Sequence, residues 1–140
     1  MINAVNSIPQ TVLPTNNVIF TNYNVRTGSC NNGCSGWLNN NENSGLFQIT
    51  KAGIYEISFN ANVAPTVAGA ITLNITSEGE SISGGQMQTA GTTPDVFENV
   101  SASVLVRVPC NCCETFTIKN NTPTNPITVS QPSLTIVRVA

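Results

Sequence analysis

An all-β sandwich is the fold class that this sequence predicts, on three observations. Apolar and polar residues alternate strictly in several short segments, Gly, Pro and Asn turns separate those segments, and no stretch carries helical periodicity. Residues 45–63, GLFQITKAGIYEISFNANV, show the pattern most clearly. After the break at Lys51-Ala52-Gly53, Tyr55, Ile57, Phe59 and Ala61 fall on one side and Glu56, Ser58 and Asn60 on the other. A period of two means a half-buried antiparallel strand, because successive side chains of a strand point to opposite faces. Tyr55, Ile57 and Phe59 are therefore expected in the core.

The elements follow in order. Residues 1–17 contain Val5, Ile8, Val12 and Leu13, punctuated by Pro9 and Pro14, which keep the chain extended and out of a helix. We expect an extended N-terminal arm over 1–17 and one sandwich domain over 18–140. Such an arm either docks its four apolar residues across a neighbouring subunit or an underlying shell, or is a disordered tail. Val18-Ile19-Phe20 and Tyr23-Asn24-Val25 read as strand pieces. Thr27 to Asn43 is dense in Gly, Asn and Ser and reads as a loop, with Trp37 and Leu38 its apolar members. Ala70 to Thr76 and Ser101 to Val108 alternate as strands, Thr115 to Lys119 places Phe116 and Ile118 on one face, and Ile127 to Val129 is a short apolar piece between Pro126 and Pro132. Leu134 to Val139 closes the chain as a strand. About eight to ten short strands joined by turns are the signature of a sandwich or jelly roll.

Composition narrows the function classes. A chain of 140 residues is one domain of ordinary size, able to bury roughly 68–70% of its unfolded surface. Charged residues are 9% of it, against about 25% in an average soluble domain, so the surface is polar but weakly charged. The net charge of -2 comes without a basic cluster that could release counterions from nucleic acid, which argues against nucleic-acid binding. The first residues lack a basic region, an apolar run and a small-residue cleavage site, so no signal peptide is read. No segment approaches the roughly 20 apolar residues of a membrane span.

Catalysis is poorly supplied: there is no His, one Asp and two Lys, so the usual bases and proton shuttles are nearly missing. Glu56 and Glu98 could in principle act as a glycosidase pair, but isolated Glu residues on outward strand positions are ordinarily solubilising groups. No enzyme activity and no cofactor are expected. Five cysteines form two groups, Cys30 and Cys34 in the loop and Cys110, Cys112 and Cys113 in a turn. The spacings differ from the paired C-x2-C of zinc ribbons and no His completes a set, so no metal is expected. The favoured reading is disulfides between loop and turn, each worth roughly 4–5 kcal/mol if geometry permits, with one thiol left over. That odd thiol is either buried and inert or joined to a neighbouring subunit. Trp37 either anchors its loop on the sandwich or stacks on a glycan from a polar loop.

Gly45, Phe47, Ala52, Gly53, Tyr55 and Phe59 resemble a G-x-F…A-G-x-Y-x-F-x-F segment, with Ile57 where the first strand Phe of that pattern stands. That segment is typical of the C-terminal globular domain of the C1q and tumour necrosis factor superfamily, including collagen-like surface proteins of spore-forming bacteria. Asn99 to Asn121 is similar to the family's strand-turn-strand unit, and Ser133 to Val139 to its closing strand. The resemblance implies a jelly roll that associates as a homotrimer, with apolar side chains of three subunits along the axis. This chain departs from the pattern in having no Gly-X-Y stalk and in its CNCC cluster. Its length, arm and cysteine pair also resemble small jelly-roll virion proteins of phages that infect Gram-positive bacteria. The functional expectation is a non-enzymatic structural protein, a homotrimer on a virion surface with a capsid protein as partner. The alternatives are a spore-surface or appendage subunit linked by disulfides, and a carbohydrate- or receptor-binding module using Trp37.

Overall fold

The structure is a computed structural model that describes residues 1–27, 36–40, 43–110 and 113–140. Among the described residues there are eleven strands and no helix: β1 (Ile2–Val5), β2 (Gln10–Val12), β3 (Asn22–Arg26), β4 (Leu38–Asn40), β5 (Phe47–Ile49), β6 (Gly53–Pro65), β7 (Ile71–Ser77), β8 (Glu80–Thr89), β9 (Glu98–Val108), β10 (Glu114–Asn120) and β11 (Ile127–Arg138). A front sheet runs in the order β3-β1-β11-β6-β9, with β2 also paired to β11, and a back sheet runs β4-β5-β10-β7-β8. All the pairings are antiparallel.

The alternation read in residues 53–63 is what builds the front sheet. Tyr55, Ile57, Phe59, Ala61 and Val63 are buried, and their neighbours Ile54, Glu56 and Asn60 are exposed. Along β9, Val100, Val104 and Val108 face the same core. The back sheet contributes Phe47, Ile49, Leu73, Ile75, Phe116 and Ile118. Phe20 joins the two layers: its ring meets Phe47 edge-on at 5.6 Å and Phe59 at 6.4 Å, the arrangement that aromatic quadrupoles prefer.

Residues 18–20 are not a strand. They cross from one sheet to the other, since the Val18 amide donates to the Ile118 carbonyl and the Thr21 amide to that of Val5. At the crossing the Gln10 side chain substitutes for a partner strand, donating to Ile19 O at 2.8 Å and accepting from Ile19 N at 2.9 Å. Gly45 lies beneath this crossing with φ +69°, and a Cβ there would stand 2.3 Å from the Val18 carbonyl oxygen, so the turn accepts only glycine.

The expected arm over residues 1–17 is corrected by the pairing. This segment is extended, but it lies in the sheet of its own chain: β1 pairs with residues 133–136 of β11, and β2 with residues 127–129. Ile2, Ala4 and Val12 are buried in the core. Without them the edge of β11 would present a row of unpaired amides and carbonyls, and covering it satisfies both segments. The gap between β1 and β2 matches a bulge in β11, where the register shifts between Ser130 and Ser133 and Gln131 takes φ 53°. Pro132 sits at that bulge, so Ile127 to Val139, which read as two pieces, holds one bent strand. The strand β8 escaped the sequence reading because Gly84-Gly85 interrupts its alternation and polar residues dominate it.

Candidate assembly interface

Many outward side chains of the front sheet are small and polar, and register brings these into lines across five strands. Asn24 on β3 donates from Nδ2 to Asn3 Oδ1 at 2.9 Å, and Asn3 Nδ2 in turn donates to Ser133 Oγ and Thr135 Oγ1 of β11, both at 3.0 Å. On the far side of β6, the hydroxyls of Ser58 and Ser103 lie 2.9 Å apart, and Ser103 donates to Glu56 Oε1 at 3.2 Å. One step along, Asn99 Nδ2 donates to Asn60 Oδ1 at 3.0 Å and Asn62 Oδ1 at 3.1 Å. Between the two lines lies a shallow depression of about 320 Å³, floored by Ser58, Asn60, Ser101, Ser103, Ser133 and Thr135. At one end of the same face Leu105 is 68% exposed and Ile54 40%. Across its middle this face has only short, uncharged side chains, which let a second backbone approach closely, and Glu56 and Arg107 are the charged groups toward the Leu105 end.

The back sheet is dressed in the same chemistry, yet at its centre, on β7 and β10, the outer polar groups are closed off, while Ser81, Gln86 and Gln88 on β8 stay exposed. Thr76 and Thr117 bond through their hydroxyls, and Asn121 donates to Asn74 Oδ1 at 2.7 Å. Thr76, Thr117 and Asn74 are all buried. The Asn-Ser-Thr composition thus serves two ends, an internally bonded patch at the centre of the back sheet and an open layer in front.

Of the residues singled out from sequence, Val12 is buried, Val5 is half-buried, and Ile8 and Leu13 are exposed. They do not form one docking stripe, because the strand pairing of β1 and β2 directs them differently. Trp37 is half-buried, with its ring 5.2 Å from that of Tyr55, and its carbonyl accepts from Thr50 N at 2.8 Å. Of its two sequence readings, this geometry matches the loop anchor. Burial pushes the Tyr55 phenol above its ordinary value, the Arg138 charge opposing, and its hydroxyl donates to Lys51 O at 2.8 Å.

Cys110 and Cys113 are free thiols, both exposed, while Cys30, Cys34 and Cys112 lie outside the described residues. Among the described residues no group of three or more His, Cys, Asp or Glu side chains is placed to hold a metal. Nor is any helix long and apolar enough to cross a membrane. Glu56 and Glu98 stand opposite Leu105 and Val63, seven residues apart along β6. At about 3.3 Å per residue that is roughly 23 Å, far beyond the reach of a glycosidase pair.

Asn3, Asn24, Ser58 and Ser103 escaped the sequence reading. Alternation did put Ser58 outward, but which residue faces it depends on the register of strands far apart in the chain.

No protein-family model matches the chain, and no curated protein matches it in sequence. Solved structures do match over almost its whole length. The globular domain of zebrafish complement 1qA protein aligns with a TM-score of 0.69 at 12% identity, covering 99% of this chain and 96% of that one. Eiger TNF from S. frugiperda aligns with a TM-score of 0.69 at 11% identity, covering 99% and 92%. Murine APRIL aligns with a TM-score of 0.62 at 11% identity, covering 99% and 100%. Two antiparallel sheets in this strand order, superposing on those structures from end to end, give the chain a C1q/TNF-like jelly-roll fold.

Proposed function

We propose that this protein is a non-enzymatic structural module that self-associates as a homotrimer and decorates a particle surface, in the first instance a phage capsid. The observation that carries self-association is the outer face of the front sheet. It spans β3, β1, β11, β6 and β9 with short hydrogen-bonding side chains, and bears exposed Leu105 and Ile54 at one end. Desolvating such a face costs little charge, and its hydroxyls and amides can pair with a copy of themselves or hold bridging water. The likeness of the fold to C1q and tumour necrosis factor domains supports the trimer. A catalytic inventory without His supports a structural role.

Light scattering on the purified protein tests the assembly. The expected mass is three times 14.8 kDa, and Ser103→Arg, which drives a long cation into the hydroxyl line, is expected to give monomer with unchanged thermal unfolding. A wild-type monomer at tens of micromolar would remove the trimer. Antibody labelling of purified phage particles tests the location, and unlabelled particles would remove the capsid assignment.

One observation favours the spore or appendage reading: two exposed thiols, Cys110 and Cys113, are available for links between subunits. In that case mass on non-reducing gels rises above the monomer and collapses with reductant. A capsid protein held by surface contacts shows no such change.

A further inference from the structure

We infer that a cleft on the outer face of the back sheet binds a short neutral oligosaccharide. The cleft holds about 370 Å³, within the range of roughly 300–1,000 Å³ usual for small-molecule sites. It lies on the opposite side of the sandwich from the face proposed for self-association, so an assembly through the front sheet leaves it open. Register gathers its walls. Phe116 and Ile118 point into the core, so Thr115, Thr117 and Lys119 point outward. Asn17 is the bridge partner of Lys119 and shares its side of the sheet, and Leu46, one position before buried Phe47, is exposed on that side too. Thr117, closed by its bond to Thr76, is the floor.

The acceptor at one end is built in. Glu78 N donates to Thr115 O at 2.9 Å and Thr115 N donates to Glu78 Oε1 at 2.6 Å, a reciprocal pair that fixes the carboxylate and leaves Oε2 for a ligand. Glu78 reaches this position through a left-handed turn with φ 51°, and Thr15, also in the lining, has φ 69°. Two such costly conformations at one cleft mark a shape that the surrounding fold maintains. At the other end Lys119 and Asn17 offer donors, and among the described residues neither side chain has a hydrogen-bond or ion-pair partner. Thr115 and Lys119 are separated by about 13 Å of strand, too far for one small ion to touch both ends. A carboxylate only accepts and an ammonium only donates, whereas each hydroxyl of a sugar does both and can satisfy either end. One negative and one positive group leave the cleft without net charge, which favours an uncharged ligand over an anion or a cation. Leu46 gives the apolar face of a sugar ring a surface to cover.

The test is a calorimetric titration of the full chain with lactose, maltose and N,N′-diacetylchitobiose as separate probes. Saturable millimolar binding is expected for at least one. Lys119→Gln and Glu78→Gln should each weaken it about tenfold, the scale of one lost charge-assisted hydrogen bond. Thermal unfolding recorded alongside shows that the fold persists in both. Lys51→Gln, outside the cleft, should leave the affinity within about twofold. Lactobionate, the carboxylate made from lactose, and deacetylated chitobiose, the matching amine, should bind no tighter than their neutral parents. Absence of saturable binding to all three neutral probes overturns the assignment. So does full affinity in either Gln variant, an equal loss in Lys51→Gln, or a preference of about tenfold for either charged sugar.

Discussion

Asn120 offers the sharpest test of how the fold is held together. It is fully buried, its Nδ2 donates to Val12 O at 3.0 Å, and its Oδ1 accepts from Thr122 N at 3.0 Å. One side chain on β10 of the back sheet thereby ties down β2 of the front sheet and the turn that leaves β10. Truncation to Ala leaves a buried carbonyl and a buried amide without these partners, each worth about 1–3 kcal/mol. The sum for Asn120→Ala is about 2–6 kcal/mol, a large share of the roughly 5–15 kcal/mol typical of a whole domain. Urea unfolding reads it directly, as a lower midpoint at unchanged slope. Asn120→Asp sharpens the test. The ionised carboxylate still accepts from Thr122 but faces the Val12 oxygen, so at pH 7 it is worse than Asn. Burial raises the folded-state pKa of the new acid above its unfolded value near 3.9. The penalty therefore shrinks as pH falls through the folded pKa, where a protonated carboxyl donates to Val12 O. Asn24→Ala, which removes one exposed bond to Asn3, is the control at about 0.5 kcal/mol or less. A loss under about 0.5 kcal/mol for Asn120→Ala, or no pH dependence in Asn120→Asp, would refute the reasoning.

Three further outcomes are expected. The raised pKa of Tyr55 means that the folded state keeps this proton longer than the unfolded state, so its contribution is intact below pH 10 and lost as pH rises through the folded value. Tyr55→Phe should flatten that alkaline decline in a stability-pH profile and cost about 1 kcal/mol at neutral pH for the bond to Lys51 O. Thr15 adopts φ 69°, a costly conformation for a β-branched residue, so Thr15→Asn should gain about 0.5–1 kcal/mol and raise the melting temperature by a few degrees. Gly45→Ala should cost more than about 2 kcal/mol by calorimetry, because strain at φ +69° adds to the collision with Val18 O.

Local periodicity carried much of this architecture in plain view. Tyr55, Ile57 and Phe59 could be read as core from alternation alone, because a half-buried strand imposes a period of two on its own sequence. Segments whose partners are side chains or distant strands left no such mark. Residues 18–20 looked like a strand but pair partly with the Gln10 amide. Glu80–Thr89 is a strand whose glycines hide its period. The polar line from Asn24 through Asn3 to Thr135 joins residues more than a hundred positions apart.

By itself the sequence determined the all-β class, the weak charge of the surface and the poverty of catalytic groups, since each is a property of composition or of neighbours along the chain. Tertiary structure alone decided that the first residues belong to the front sheet, and that Ser, Thr and Asn form an open face in front and a closed patch at the centre of the sheet behind. These depend on cross-strand register and on which edge needs covering, and such long-range pairings are set by the summed packing and hydrogen-bond satisfaction of the whole sandwich rather than by any local segment.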